Sequence, residues 1–260
     1  MKRIIILFLI LSSYQLLSQS KKVIYVNENY KKISKKEYQK KLKSKLFDIA
    51  TTVKDTVILK KLRFSEFYGQ LEETKRKQIF KLFHKRFHLD TTKVWVIHYI
   101  DSVPDKKKMP LKSGLEFIDS KGKLTGIFLT QNEFKNSYGK YPYKRHRHRT
   151  SYSDYIKGLK TENNKYKNSK GIELIHLYKT NKGFPNKELK KHNYYKDKLS
   201  FFKKFFTDGL KLYTSVLIYP DGNFYASKFH YHNANFEKKL AKEKIYNRKK
   251  NKWLKKLKKS

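Results

Sequence analysis

The chain has 260 residues, with 63 lysines and arginines against 22 acidic residues and a formal net charge of +41. Aromatic residues make up 15% of the sequence, so the chain can build an apolar core and does not have the composition of a disordered protein. It contains no cysteine. This excludes disulfides, thiolate catalysis, zinc–thiolate sites and lipid anchoring through an N-terminal cysteine.

The positive charge favours anionic partners, but the type of cation argues against nucleic acid. Lysine outnumbers arginine 55 to 8, and arginine is the residue that makes bidentate contacts to phosphates and bases. Lys, Asn, Ile, Tyr and Phe are also specified by A/T-rich codons, so a biased genome is an alternative origin of this surface. We therefore do not expect nucleic acid as a partner.

The first twenty residues have the pattern of a secretory signal peptide. Lys2 and Arg3 precede the apolar run Ile4–Leu11, and Ser18-Gln19-Ser20 places small residues where a signal peptidase cleaves. The run is too short to span a bilayer. We expect residues 1–20 to be removed and the mature chain, which begins near Lys21, to be periplasmic or extracellular. An uncleaved membrane anchor is the alternative.

In chain order, the hydrophobic pattern predicts strands and helices in alternation. The predicted strands are Val23–Val26, Thr56–Leu62, Lys93–Ile100, Leu115–Ile118, Leu124–Thr130, Ile172–Tyr178 and Val216–Tyr219. The predicted helices are Lys35–Phe47, Leu71–Phe87, Ser153–Asn163, Asp197–Phe206 (closed by Asp208-Gly209) and a long basic helix from Asn235. Asn132–Thr150 is predicted to be an exposed loop. We expect the segments beginning at Val94, Ile172 and Val216 to lie side by side as inner strands between helices.

The stretch Val216–Phe224, an apolar strand followed by the turn Pro220-Asp221-Gly222 and a second strand, resembles the strand–turn–strand of extracytoplasmic thiol-disulfide oxidoreductases. The element order from Lys93 onward is also similar to that of the thioredoxin-like fold. The resemblance implies an α/β domain with a central mixed sheet flanked by helices over residues 93–245. An N-terminal α+β extension (21–92) would precede it, and a basic C-terminal tail (246–260) would follow it.

The functional residues of that family are missing from this sequence. Asp101-Ser102-Val103-Pro104 stands where the family has Cys-x-x-Cys, and Tyr213-Thr214-Ser215 stands where it has a cis-proline. The resemblance therefore implies a degenerate scaffold without redox chemistry. Two N-terminal stretches, Val23–Asn29 and Ile33–Tyr38, are similar to the start of uncharacterised secreted proteins of flavobacteria, which implies no function.

Histidines are the candidate metal ligands besides carboxylates. His84 and His88 have i, i+4 spacing at a predicted helix end, and His230 and His232 have i, i+2 spacing on a predicted strand. In both pairs the ordinary interpretation is a polar surface residue, so no metal ligand or cofactor is predicted. His146 and His148 stand among arginines, which repel a metal ion.

No catalytic motif is present: there is no Gly-x-Ser-x-Gly elbow, no phosphate-binding loop and no pair of catalytic carboxylates. We therefore predict an exported, non-catalytic α/β protein that binds a partner or belongs to the cell envelope. One alternative is a protein that binds anionic lipid or cell-wall polymer through Lys144–Arg149 and the C-terminal helix. The other is a metal-dependent hydrolase that uses His230 and His232.

Overall fold

The computed structural model of the protein describes residues 21–136, 145–206, 214–228 and 233–259. The predicted signal peptide (1–20) and the predicted helix stop at Asp208-Gly209 lie outside these residues. Lys144, His230 and His232 lie outside them as well. In the part of the chain that is described, no helix has the length and apolar character needed to cross a membrane.

Helices and strands alternate along the chain. The helices are α1 (Lys35–Lys43), α2 (Glu73–Phe87), α3 (Gln131–Asn136), α4 (Tyr152–Lys167), α5 (Asn186–Lys191), α6 (Phe201–Phe206), α7 (Ala234–Leu240) and α8 (Glu243–Leu257). The strands are β1 (Lys22–Val26), β2 (Phe47–Val53), β3 (Val57–Phe64), β4 (Glu66–Gln70), β5 (Val94–Val103), β6 (Gly114–Ile118), β7 (Leu124–Thr130), β8 (Arg145–Arg149), β9 (Ile172–Asn181), β10 (Tyr194–Lys196), β11 (Ser215–Ile218) and β12 (Asn223–Ser227). The predicted mixed α/β class is confirmed.

The chain divides into two compact units, and the smaller one contains residues 21–67 and 252–259. Its sheet has the order β1-β3-β2, with β1 parallel and β2 antiparallel to β3. Helix α1 begins at the N-cap Ser34, whose hydroxyl accepts from the Glu37 amide. The predicted extension of α1 to Phe47 is wrong, because Lys45 adopts φ 60° and β2 begins at Phe47.

The larger unit contains a six-stranded sheet with the order β10-β9-β5-β11-β12-β4. Strands β5 and β9 are parallel, and β11 is antiparallel to both β5 and β12. The prediction that the segments beginning at Val94, Ile172 and Val216 form adjacent inner strands is therefore confirmed. The turn between β11 and β12 requires Gly222, which has φ 88°.

One face of this sheet carries the main apolar core. Helices α2 and α6 contribute Phe83 and Phe202. These rings pack in one apolar cluster with Trp95 of β5 and with the residues of β5 that lie on the same face. Alternation along β5 places Ile97 and Tyr99 on the same face as Trp95. The side chains between them, including that of His98, therefore point to the opposite face.

The second sheet of the larger unit has the order β7-β6-β8. Strands β6 and β7 form the predicted hairpin, whose turn contains Gly122 with φ 81°. The prediction that Asn132–Thr150 is an exposed loop is wrong in two places. Gln131–Asn136 forms α3, and Arg145–Arg149 forms β8, which pairs antiparallel with β6 from Gly114↔Arg149 to Ile118↔Arg145.

Candidate metal centre

A row of polar residues crosses the face of the six-stranded sheet opposite the apolar core. The register pairs Tyr194 with His176, His176 with His98, His98 with Ser215, and Ser215 with Ser227. All five residues are buried, and the two histidines are each only 1% exposed. Polar groups buried in this way need partners, because an unpaired one is costly. This polar row therefore defines the candidate site.

Two helices cover the polar row and each directs a carboxylate at His98. Glu162 Oε1 on α4 lies 2.8 Å from His98 Nδ1. Glu237 on α7 approaches the other ring nitrogen, with Oε2 at 3.1 Å and Oε1 at 3.3 Å from His98 Nε2. Because carboxylates face both ring nitrogens, the ring is held as an imidazolium. We call His98, His176, Glu162 and Glu237 the His98 cluster.

The electrostatics of His98 and Glu237 follow from this geometry. Burial by itself would lower the pKa of His98, but the hydrogen bonds to Glu162 and Glu237 outweigh it and raise the pKa to about 9. Burial would raise the pKa of Glu237, yet its contacts with His98, Ser215 and Tyr166 lower it to about 2. The pair is therefore ionised across the neutral range.

Hydroxyl groups complete the surroundings of Glu237. Ser215 Oγ donates to Glu237 Oε1 at 2.5 Å, and the Tyr166 hydroxyl donates to Glu237 Oε2. Burial and the neighbouring carboxylate raise the pKa of Tyr166, so its hydroxyl keeps its proton. The side chain of Glu237 is only 3% exposed, whereas that of Glu162 is 20% exposed.

His176 completes the cluster on the neighbouring strand. Its ring stacks on Tyr194, with centroids 4.3 Å apart and an interplanar angle of 7°, and lies 5.3 Å from the His98 ring. Asn163 Oδ1 on α4 is 3.3 Å from His176 Nε2. The stacking and the amide contact fix the plane of the ring beside His98.

Local sequence determines where the two carboxylates lie. Helix α4 begins at Ser151, whose hydroxyl accepts from the Asp154 amide, and runs far enough to place Glu162 and Tyr166 on one face. Helix α7 begins at Asn233, whose side chain accepts from the Phe236 amide. Glu237 then falls in the first turn, where the helix dipole favours an acidic residue.

Three residues of the cluster meet the spatial requirement for binding a metal ion. His98, Glu162 and His176 each offer one ligand atom, and these atoms lie within 4.8 Å of one another. Two imidazoles and a carboxylate form a common ligand set for zinc and related divalent metals. Among the described residues, this is the one group of three or more potential ligand side chains whose ligand atoms lie this close together.

The histidine pairs considered from sequence do not form such a group among the described residues. His84 Nδ1 donates to the Leu89 carbonyl at 2.9 Å. His88 is the C-cap of α2 and adopts a left-handed conformation with φ 57°. The prediction that this pair belongs to a helix end is confirmed. His230 and His232 lie outside the described residues.

The described part of the basic cluster, Arg145–Arg149, is partly neutralised by one acidic residue. Glu116 on β6 forms ion pairs with Arg147 at 2.8 Å and with Arg149 at 2.7 Å. Burial would raise the pKa of Glu116, but the two guanidinium groups lower it. An anionic partner would therefore meet less positive charge on β8 than the sequence indicates.

Sequence analysis did not single out His98, His176, Glu162 or Glu237. A signal is nonetheless present in the two parallel strands, which contain Ile97-His98-Tyr99 and Ile175-His176-Leu177. A histidine within an apolar run is buried once the run becomes an inner strand, so it needs a polar partner. This local pattern does not predict that the two histidines lie opposite each other in the register of the two strands.

Comparison with known proteins gives no match to a family model, a curated protein or a solved structure. The function must therefore be inferred from the geometry of the site.

Proposed function

We propose that the protein is an exported, non-catalytic binding protein whose α/β core holds one divalent transition-metal ion, with zinc as the best fit. The ligands are His98 Nδ1, one ring nitrogen of His176 and a carboxylate oxygen of Glu162. The observation that supports the proposal is the approach of these three ligand atoms to within 4.8 Å in the interior of a folded unit.

The ligand chemistry favours a transition metal over calcium or magnesium. Imidazole nitrogen is a good ligand for Zn²⁺, Cu²⁺, Ni²⁺ and Fe²⁺, whereas Ca²⁺ and Mg²⁺ prefer oxygen ligands in larger number. Three protein ligands leave a fourth tetrahedral position. The histidine ligands are each 1% exposed, so a substrate has little access to the fourth position, and this burial favours metal binding without catalysis.

Charge balance supports the same conclusion. An imidazolium His98 between two carboxylates gives these three side chains a net charge of −1. A divalent cation that replaces the proton on His98 Nδ1 makes the three side chains and the ion neutral together, with the released proton going to solvent. Because burying a net charge is unfavourable, the neutral arrangement is the more stable one in the protein interior.

Glu237 lies where a carboxylate that does not itself bind the metal would orient a metal-bound histidine. Its oxygens lie 3.1 and 3.3 Å from His98 Nε2, so Nε2 donates to Glu237 and Nδ1 remains for the metal. A ligating histidine commonly donates its other ring N–H to a carboxylate in this way. Ser215 and Tyr166, which donate to Glu237, hold that carboxylate in place.

The test is a titration of the metal-free full-length chain with Zn²⁺ by calorimetry and with Co²⁺ by visible absorption. We expect one ion per chain and intense Co²⁺ bands from a tetrahedral site with nitrogen ligands. His176→Gln is the informative variant, because it removes one ligand and leaves the ion pairs of His98 intact. We expect it to weaken binding by at least about 100-fold.

His148→Gln is the matched control, since this histidine is exposed on β8, which belongs to a different sheet from the polar row. It should bind the metal as the unmodified chain does. The proposal is overturned if the unmodified chain binds no stoichiometric metal, or if His176→Gln and His148→Gln bind it equally well.

We also propose that the central sheet has a thioredoxin-like arrangement. Four strands support this: β5 and β9 are parallel with α4 between them in the chain, and β11 and β12 continue antiparallel on the other side of β5. No cysteine is present, so the polar row occupies a scaffold without thiol chemistry. Backbone contacts between β5 and β9 measured by NMR test the proposal, and a sheet in which these two strands are not adjacent would contradict it.

Export is proposed from the N-terminal sequence. The charged start, the apolar run and the small residues before Lys21 support removal of residues 1–20. The test is N-terminal sequencing of protein expressed from the full gene in a Gram-negative host and recovered from the periplasm or medium. A mature start near Lys21 is expected, and full-length protein in the cytoplasm would contradict the proposal.

A further inference from the structure

The first half of β9 has an open edge. Strand β9 begins at Ile172, but its outer neighbour β10 pairs with it only from Tyr194↔His176 to Lys196↔Tyr178. Among the described residues, no strand pairs with residues 172–175 on that side. An inner strand of the sheet is therefore an edge strand over its first four residues.

The backbone of Leu174 points toward this open side. The amide of His176 donates to the Asn193 carbonyl on the β10 side, and alternate residues of a strand direct their backbone groups to the same side. Leu174 N–H and C=O, two residues earlier, thus face the same way. The Asn193 amide, which would continue the ladder to Leu174, instead donates to Lys190 C=O at 3.2 Å.

A cleft of about 510 Å³ lies along this edge, within the range of about 300–1,000 Å³ that is usual for ligand sites. We call it the β9 cleft. Its walls come from the end of α4, the segment after α2 and the start of β10, and Ile172 and Leu174 form part of its lining. It combines an open strand edge with room for a chain beside it.

The β9 cleft is positively charged. Lys93, Lys167 and Lys191 line it together with one acidic residue, Glu173. Lys93 is already paired with Glu173 at 2.9 Å. Lys167 and Lys191 are exposed and form no ion pair with the described residues. Their two charges thus remain to attract an anionic ligand.

We propose that the β9 cleft binds an extended acidic peptide segment of a partner protein, which adds to the sheet as a strand beside Ile172–Ile175. Backbone hydrogen bonds to Leu174 would provide the pairing, as in other cases of strand addition to a sheet edge. Lys167 and Lys191 would select acidic side chains.

This binding site is separate from the metal centre. Asn163 and Tyr166 line the β9 cleft and also contact the His98 cluster, but none of the three metal ligands lines the cleft. Peptide binding therefore does not rest on the proposed metal, and His176→Gln should keep it. Failure of one proposal would leave the other intact.

The experiment measures fluorescence anisotropy of a labelled peptide of alternating Glu and Val with the full-length chain at physiological ionic strength. The variant is Lys167→Glu combined with Lys191→Glu, both at exposed positions. We expect the double variant to weaken binding about tenfold or more, because it replaces two positive charges beside the peptide with negative charges that repel it. Hydrogen exchange of the Leu174 amide should slow when the peptide binds.

Two controls separate strand pairing from general attraction to a basic protein. Lys121→Glu changes an exposed lysine in the β6–β7 turn and should alter binding by no more than about twofold. A peptide with N-methyl groups on alternate residues keeps the charge but cannot complete the ladder, and it should bind much more weakly. Equal binding of the methylated peptide, or an equal effect of Lys121→Glu and the double variant, overturns the proposal.

Discussion

The two faces of the six-stranded sheet are both buried but are stabilised by different forces. The α2 side contains Phe83, Trp95 and Phe202, which are held by apolar burial and ring packing. The α4 side also has a smaller apolar cluster, which includes Leu159 and Tyr178, but it buries His98 and its carboxylates, which are held by ion pairs and hydrogen bonds. Apolar packing tolerates changes of pH, whereas the ionic contacts depend on which groups carry protons. The same strands therefore have one face that is insensitive to pH and one that is sensitive to it.

The largest effect is expected on the apolar face. Phe83 is 2% exposed and stacks on Trp95 with ring centroids 5.5 Å apart. We expect Phe83→Ala to reduce the free energy of unfolding by about 3–5 kcal/mol, because it removes a buried ring and leaves a cavity. Urea unfolding measures it, and the loss should be the same at pH 6 and pH 9. Lys81→Ala, at an exposed position of α2, should change the stability by less than about 0.5 kcal/mol.

The metal-free protein should lose stability on the polar face as the pH rises. The pKa of His98 is raised from 6.5 to about 9 in the folded chain. Its contribution, on the order of 3 kcal/mol, is therefore fully present below pH 6.5 and lost between pH 6.5 and about 9. For Glu237, whose pKa is lowered from 4.5 to about 2, the contribution is present above pH 4.5 and lost as the pH falls through about 2.

Urea unfolding in the presence of a chelator measures this profile. The share of the stability that His98 and Glu237 supply should be highest between about pH 4.5 and 6.5, since both contributions are then complete. His98→Gln should lack the decline between pH 6.5 and 9 that the unmodified chain shows. An unchanged decline in the His98→Gln protein would assign the alkaline loss to other groups.

A neutral substitute for Glu237 tests the ion pair directly. We expect Glu237→Gln to reduce the free energy of unfolding by about 2–3 kcal/mol at pH 6, because a buried imidazolium loses one of its two anionic partners. The comparison is Glu243→Gln on α8, an exposed position where the change should stay below about 0.5 kcal/mol. Similar small losses in both variants would show that Glu162 alone is enough to hold His98.

The smallest effect is expected for the hydroxyl that supports Glu237. Ser215→Ala removes the 2.5 Å hydrogen bond to Glu237 Oε1 and should cost about 1–2 kcal/mol, since bonds to charged acceptors are worth more than neutral ones. Ser227 is the next residue in the polar row and donates to no described carboxylate, so Ser227→Ala is the control. Its effect should be about 0.5 kcal/mol, and a larger effect than that of Ser215→Ala would contradict the role given to Ser215.

The apolar face could be predicted from the sequence, and the polar face could not. Continuous apolar runs identified β5, β9 and β11 as inner strands, because their hydrophobicity is a local property. The meeting of His98 with Glu162 and Glu237 depends on strand register and on where two helices cross the sheet. Neither is encoded in a short window of sequence.

Strand β8 was missed for a different reason. Arg145–Arg149 contains only arginine and histidine, so it lacks the apolar alternation by which a strand is predicted. It becomes a strand because β6 offers an edge and Glu116 attracts two of its arginines. Tertiary contacts determine this strand, and the isolated segment has little preference for it.

Carboxylates from two different helices hold one imidazole ring, and Tyr166 of α4 also donates directly to Glu237 of α7, so buried polar contacts link α4 to α7. A displacement of α4 moves Glu162 away from Nδ1 or turns the ring, and a turned ring changes the contact of Nε2 with Glu237 on α7. Asn163 and Tyr166, at the end of α4, also line the β9 cleft. A spectroscopic label on α7 would thus report on events at a strand edge that it does not touch.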